Sequence, residues 1–158
     1  MVKTIWQASE NQITGGEVIK SESNHIYYYS DVSVKSCLDL NKALQDKANE
    51  LLSLSMKNGF GRPKINLHVN SYGGSIFAGI SSMDTILRIR NYVDIITIVE
   101  GGVASAGTFI SVVGTKRKIT KNSYMLIHQL SSFTYGKYSE IKDDMKNYDE
   151  LMKMIKNI

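Results

Sequence analysis

Lys64-Ile65-Asn66-Leu67-His68-Val69-Asn70-Ser71-Tyr72-Gly73-Gly74-Ser75 decides the fold. Ile65, Leu67 and Val69 recur at every second position, with Asn66, His68 and Asn70 between them. Period-two alternation is a strand with one covered face, and it leaves His68 on the polar side, facing solvent. Ser71-Tyr72-Gly73-Gly74 reads as a turn, and the apolar spacing from about Ile76 to Arg90 predicts a helix. The same strand-turn-helix grammar extends both ways. Downstream, Val93 to Val99 is an apolar, β-branched run that reads as a buried strand. Gly101-Gly102 and the small-residue turn Val103-Ala104-Ser105-Ala106-Gly107 follow, then a third helix from about Thr108 to Val113. Upstream, Ile26 to Tyr29 reads as a strand, and Asp31 or Ser33 can cap a helix predicted from Ser36 to Ser55. Gly59-Phe60-Gly61-Arg62-Pro63 breaks that helix.

Beyond the third helix, Lys118 to Thr120 and Ser123 to His128 give further strand. A last helix begins near Ser139 as N-cap and carries Ile141, Met145, Tyr148, Met152 and Ile155 on one face. The alternation implies an α/β domain of repeated β-α units with a largely parallel sheet. Residues 1–24 are polar, contain Gly15-Gly16, and read as an irregular or hairpin-like arm. The whole of 1–158 is expected to be a single domain.

The composition fits a globular chain: 42% apolar residues, a net charge of +4 and no low-complexity tract. The lysines are dispersed, which reads as a solvated surface and argues against nucleic acid as partner. A single cysteine, Cys37, excludes an internal disulfide and sits among apolar residues as a small core side chain. The chain lacks a signal-peptide pattern and any run long enough to span a membrane, so a cytoplasmic protein without a membrane partner is expected.

In open α/β folds, ligands meet the loops at the carboxyl ends of the strands. Two such loops stand out, 70–75 and 101–107. The second has the logic of a nucleophile elbow, in which a sharp turn exposes a hydroxyl and leaves the next N–H free for an oxyanion. It is not G-x-S-x-G, and Ser105 among small residues, taken alone, fits tight helix packing better. A serine nucleophile needs a base, and the histidines are His25, His68 and His128. His25 lies in a polar arm and His68 on a polar strand face, so both read as solvated. His128 ends a strand at the sheet edge that carries the serine loop, which favours it as base, although a structural histidine fits there too.

Taken together, Asn70-Ser71-x-Gly73-Gly74-Ser75, Ala78-Gly79, Asp84-Thr85, Ala104-Ser105-x-Gly107, Asn122-Ser123 and Ile127-His128-Gln129 resemble, in order and spacing, the proteolytic subunit of the Clp protease over about residues 25 to 158. The resemblance implies a fold shared with crotonases, Ser105 as nucleophile and His128 as base. It also implies an oxyanion hole from the N–H groups of Gly74 and Ala106. A strand after Gly74, including Ile76, and the segment around Ser131 would hold an extended polypeptide substrate. No cofactor or metal is implied. The expected partners are copies of the chain in stacked heptameric rings, an AAA+ unfoldase and, alternatively, a second proteolytic subunit. The last helix, 139–158, corresponds to the start of the handle that joins the rings. Three departures accompany the match. The family's triad aspartate falls beyond Ile158, and Asp143, Asp144 and Asp149 do not correspond to it. Asn66, His68 and Arg88 stand where the family has aromatic docking-pocket residues, which implies atypical docking. Ser131-Ser132-Phe133-Thr134 replaces the glycine pair after the His-Gln motif. A non-catalytic ring subunit and a crotonase-type acyl-CoA enzyme are the competing readings. Intact Ser105 and His128 blocks disfavour both, while the missing aspartate favours the non-catalytic ring subunit.

Overall fold

The computed structural model describes residues 18–128 and 135–156. Of the described residues, those up to Leu126 form one compact unit, and those from Ile127 onward form a second. In the first, β1 (Val18–Glu22) and β2 (His25–Tyr29) make an antiparallel hairpin, with Val18 opposite Tyr29 and Glu22 opposite His25. The arm is therefore a hairpin from Val18 onward. The Gly15-Gly16 pair lies outside the described residues.

After β2 the chain alternates α1 (Val34–Asn58), β3 (Lys64–Ser71), α2 (Ile76–Ile89), β4 (Asp94–Ala104), α3 (Gly107–Val112), β5 (Lys116–Ile119) and β6 (Tyr124–Leu126). The sheet order is β1-β2-β3-β4-β5, with β6 also paired to β4, and every pairing from β2 onward is parallel. Each crossover advances the order by one strand. A right-handed crossover repeated in one direction stacks its helices on one face of the sheet.

Ser33 starts α1 with a reciprocal capping box: its hydroxyl accepts from the Ser36 N–H at 3.0 Å, and the Ser36 hydroxyl accepts from the Ser33 N–H at 3.0 Å. Ser33, rather than Asp31, is the cap. The helix closes on Gly59, which adopts the left-handed conformation at φ 65. Ile26, Tyr28, Ile65, Leu67, Val69 and Ile95 on the strands meet Leu40, Leu44, Ile86 and Ile110 on the helices, all fully buried. Each such side chain contributes about 1.5–3 kcal/mol through burial. Cys37 is buried in this layer.

β4 departs from the sequence reading. It was expected to stop at Val99 and instead runs to Ala104. Val69 faces Val99, but two residues later Ser71 faces Val103, so β4 carries a bulge around Glu100-Gly101. Gly101, at φ 75, makes the bulge possible, and its N–H donates to the Ser123 hydroxyl at 2.6 Å. The bulge splits β4 between partners: Ile96 to Val99 pair with β5, and Gly102 to Ala104 pair with β6.

In the second unit, α4 spans Tyr138–Lys156. It begins one residue before Ser139, which therefore lies within its first turn rather than at the cap. The Lys137 N–H instead donates to the Glu140 carboxylate at 2.8 Å, satisfying an amide that the helix leaves over. Ile141, Tyr148, Met152 and Ile155 are half-buried, whereas Met145 is 61% exposed. No described helix is long and apolar enough to cross a membrane.

Candidate active site

β4 ends at Ala104, α3 begins at Gly107, and Ser105 occupies the corner between them. Its φ is 52, the left-handed region that L-residues with a side chain rarely adopt. Three contacts hold it there. The Ser105 N–H donates to the Leu126 carbonyl of β6 at 3.1 Å. Its own carbonyl accepts from the Thr108 N–H at 3.0 Å and from the Thr108 hydroxyl at 2.6 Å. Backbone strain held by surrounding bonds is a feature of functional positions. The Ser105 side chain is half-buried between the buried Ala104 and Ala106.

The 70–75 loop lies against this corner. Gly73 has φ 102, and a Cβ placed on it would sit 2.6 Å from the Ser105 Cβ and 2.9 Å from the Ala104 carbonyl oxygen. Only glycine permits that approach. Val32 clamps the loop from its other side: its N–H donates to the Gly73 carbonyl at 2.7 Å, and its carbonyl accepts from the Ser75 N–H at 2.7 Å. Gly74, between these bonds, has φ 140 and is exposed. Gly107 closes on the same loop, with a Cβ there falling 2.9 Å from the Ser71 carbonyl oxygen. The small residues at 73, 106 and 107 thus bring two loops that are distant in the chain into contact.

Ile76 opens α2 rather than continuing a strand after Gly74. The Ser75 hydroxyl accepts from the Ala78 N–H at 3.3 Å and caps the helix, which commits Ile76 to it. Ser131 lies outside the described residues. His128 belongs to the second unit, two residues past the end of β6, and is exposed. The structure therefore joins Ser105 to the glycine loop within one unit.

The other two histidines correct the sequence reading. His68 is 8% exposed rather than solvated. Its neighbours in the sheet pack around it. Its ring stacks on Tyr27 with centroids 4.4 Å apart and on His25 at 5.1 Å. His68 Nδ1 lies 2.9 Å from Glu100 Oε1, and His68 Nε2 lies 2.8 Å from His25 Nδ1. The Tyr29 hydroxyl donates to the other oxygen of Glu100. Burial alone would raise the Glu100 carboxyl, but the hydrogen bonds from Tyr29 and His68 outweigh it and hold the carboxyl below the usual glutamate range. Burial, together with the same carboxylate, pushes the Tyr29 phenol well above its ordinary value. Period-two alternation signalled that these residues share a face but could not bring Glu100 beside His68.

The Clp protease family profile matches residues 14–158. The chain belongs to the Clp protease family. Clp protease proteolytic subunit 3 of Streptomyces coelicolor is 37% identical over 111 residues, covering 69% of this chain and 49% of that protein. Clp protease proteolytic subunit 2 of Prochlorococcus marinus is 32% identical over 133 residues, covering 80% of this chain and 64% of that protein. The chain spans about half the length, or less, of the Streptomyces relatives it matches. A solved structure of a ClpP1 mutant from Listeria monocytogenes aligns with TM-score 0.68 at 22% identity, over 84% of this chain and 67% of that one. It shows that the fold is the mixed α/β, mostly parallel ClpP fold.

Proposed function

We propose that this Clp family chain is a subunit of a self-compartmentalising serine endopeptidase that cleaves unfolded polypeptides, with Ser105 as nucleophile and His128 as general base. The observation that carries the reading is Ser105 itself, held at φ 52 on a strand-to-helix corner against Gly73. Ser105 attacks the scissile carbonyl and passes its proton to His128, which then gives it to the leaving amine. The carbonyl oxygen becomes an oxyanion that the N–H groups of Gly74 and Ala106 receive. Gly74 is exposed between the two Val32 bonds, and Ala106 precedes the first turn of α3, where backbone N–H groups have no intrahelical acceptor. Water then releases the acyl group. The substrate meets Gly74 and Ile76, at the start of α2, on one side and the segment around Ser131 on the other. No cofactor takes part.

The same reading places the subunit in the cytoplasm, in rings of identical copies fed by an ATP-driven unfoldase, with a second proteolytic subunit as alternative ring partner. Its docking face is atypical because Asn66 is half-buried and Arg88 is exposed and charged. An apolar loop would have to desolvate both without replacing their water. His68 adds little to that cost, since it is already buried and bonded.

The test is fluorophosphonate labelling of the chain and its variants, paired with cleavage of fluorogenic peptides. Ser105 should label. Ser105→Ala should abolish both signals, and His128→Ala should reduce them comparably, because the two act as a unit. A folded Ser105→Ala protein that still labels and cleaves would refute the assignment. A folded wild-type chain that never labels would favour a non-catalytic ring subunit.

A further inference from the structure

The hydrogen bonds of the His25-His68-Glu100-Tyr29 cluster can be oriented in one self-consistent way. A carboxylate only accepts. One oxygen of Glu100 takes the Tyr29 hydroxyl, so the other, 2.9 Å from His68 Nδ1, takes an N–H from that nitrogen. A neutral imidazole protonated on Nδ1 has a bare Nε2. His68 Nε2 therefore accepts from His25 Nδ1–H at 2.8 Å. That leaves His25 Nε2 bare, with the Asn66 amide nitrogen 3.5 Å away as its donor. Every contact is satisfied with both rings neutral and Glu100 ionised.

We propose that this cluster is an acid-operated clasp between the β1–β2 hairpin and the rest of the sheet. It binds one proton in place and a second only by breaking the His25–His68 contact. The first proton enters at His25 Nε2, where the Asn66 amide turns its oxygen to receive it. The cationic pair still shares the central N–H, and its charge lies in the field of Glu100. A second proton gives both rings two N–H groups, so two donors and two positive charges face each other across 2.8 Å. The contact must open, and His25 leaves His68.

Among the described residues, Glu22 of β1 is the carboxylate that stands opposite His25, and Lys20, opposite Tyr27, already engages it at 3.5 Å. Tyr27 and Tyr29 belong to β2 itself. On β3, Lys64 shares the parity of Asn66 and His68; across from it Asp94 pairs with Arg62 at 2.9 Å. On β4, Glu100 is already engaged by His68 and Tyr29. Lys116 and Lys118 of β5 lie one strand further out, opposite Ile96 and Ile98. Among the described residues no group of three histidine, cysteine or acidic side chains is arranged to hold a metal.

The inference does not depend on Ser105 and is tested apart from catalysis. The full chain contains three histidines, so long-range proton–nitrogen spectra of ¹⁵N-histidine-labelled protein resolve each ring, and His25→Gln, His68→Gln and His128→Gln variants assign them. At pH 8 both His25 and His68 should carry their proton on Nδ1, the minority tautomer of free imidazole. On acidification the ring signals should change in two steps rather than one, because the second proton must break the shared contact. Deuterium exchange of the β2 amides should rise only in the second step. In His25→Gln, His68 should titrate in a single step. Two Nε2–H tautomers at pH 8, or simultaneous titration with unchanged β2 exchange, would overturn the proposal.

Discussion

Gly73→Ala tests whether the glycine loop truly fixes the Ser105 corner. The added methyl would lie 2.6 Å from the Ser105 Cβ and 2.9 Å from the Ala104 oxygen. Carbon pairs rest at about 3.5–4.0 Å, so roughly 1 Å of overlap must be relieved by moving the loop or the serine. Overpacking of that kind costs about 1–3 kcal/mol. The backbone adds a second penalty, because φ 102 suits no residue with a Cβ, and such strain costs about 1–3 kcal/mol. The sum is about 2–6 kcal/mol. With a urea slope of about 2 kcal/mol per molar, the unfolding midpoint should fall by about 1–3 M. Two other glycines calibrate the result. Gly59 has φ 65 with nothing within 4 Å, so Gly59→Ala bears only the left-handed penalty of about 1–2 kcal/mol. Gly61 has open space and no positive φ, so Gly61→Ala should be neutral or slightly stabilising. Urea denaturation followed by circular dichroism measures all three. If Gly73→Ala unfolded within about 0.3 M of Gly59→Ala, the packing argument for this corner would be wrong. Fluorophosphonate labelling of folded Gly73→Ala should also fall, since Ser105 must shift.

Ser33→Ala removes one half of the capping box of α1 and should destabilise the fold by about 1 kcal/mol, read as a lower thermal midpoint. Glu100 adds a pH dependence of known sign. Its carboxyl is lowered in the folded state, so its stabilisation is fully present above the unfolded value of about 4.3 and is lost as pH falls through the folded value. Glu100→Gln should therefore be less stable than wild type at pH 7, with the gap narrowing toward pH 3. A gap independent of pH in urea titrations would mean that the Glu100 charge contributes nothing.

The sequence by itself determined the α/β alternation, because periods of two and of three to four residues are local properties of the chain. Ile65, Leu67 and Val69 announced β3, and Gly59 marked the end of α1, while its start was narrowed to a cap at Asp31 or Ser33, between which the structure chose Ser33. The loops at 70–75 and 101–107 were legible through small residues at strand-to-helix turns, whereas Ser105 as nucleophile was legible only through the blocks that resemble the Clp family. The tertiary structure alone decided that β4 runs on to Ala104, since Val103 and Ala104 become strand by pairing with β6, which follows them in the chain. It also decided the fate of His68. Alternation put that residue on the sheet face opposite Ile65, Leu67 and Val69, where a period argument expects water. Strand order then set Tyr27 and Glu100 on either side of it, and a residue's burial depends on what lies beside it in the sheet as much as on which way it points.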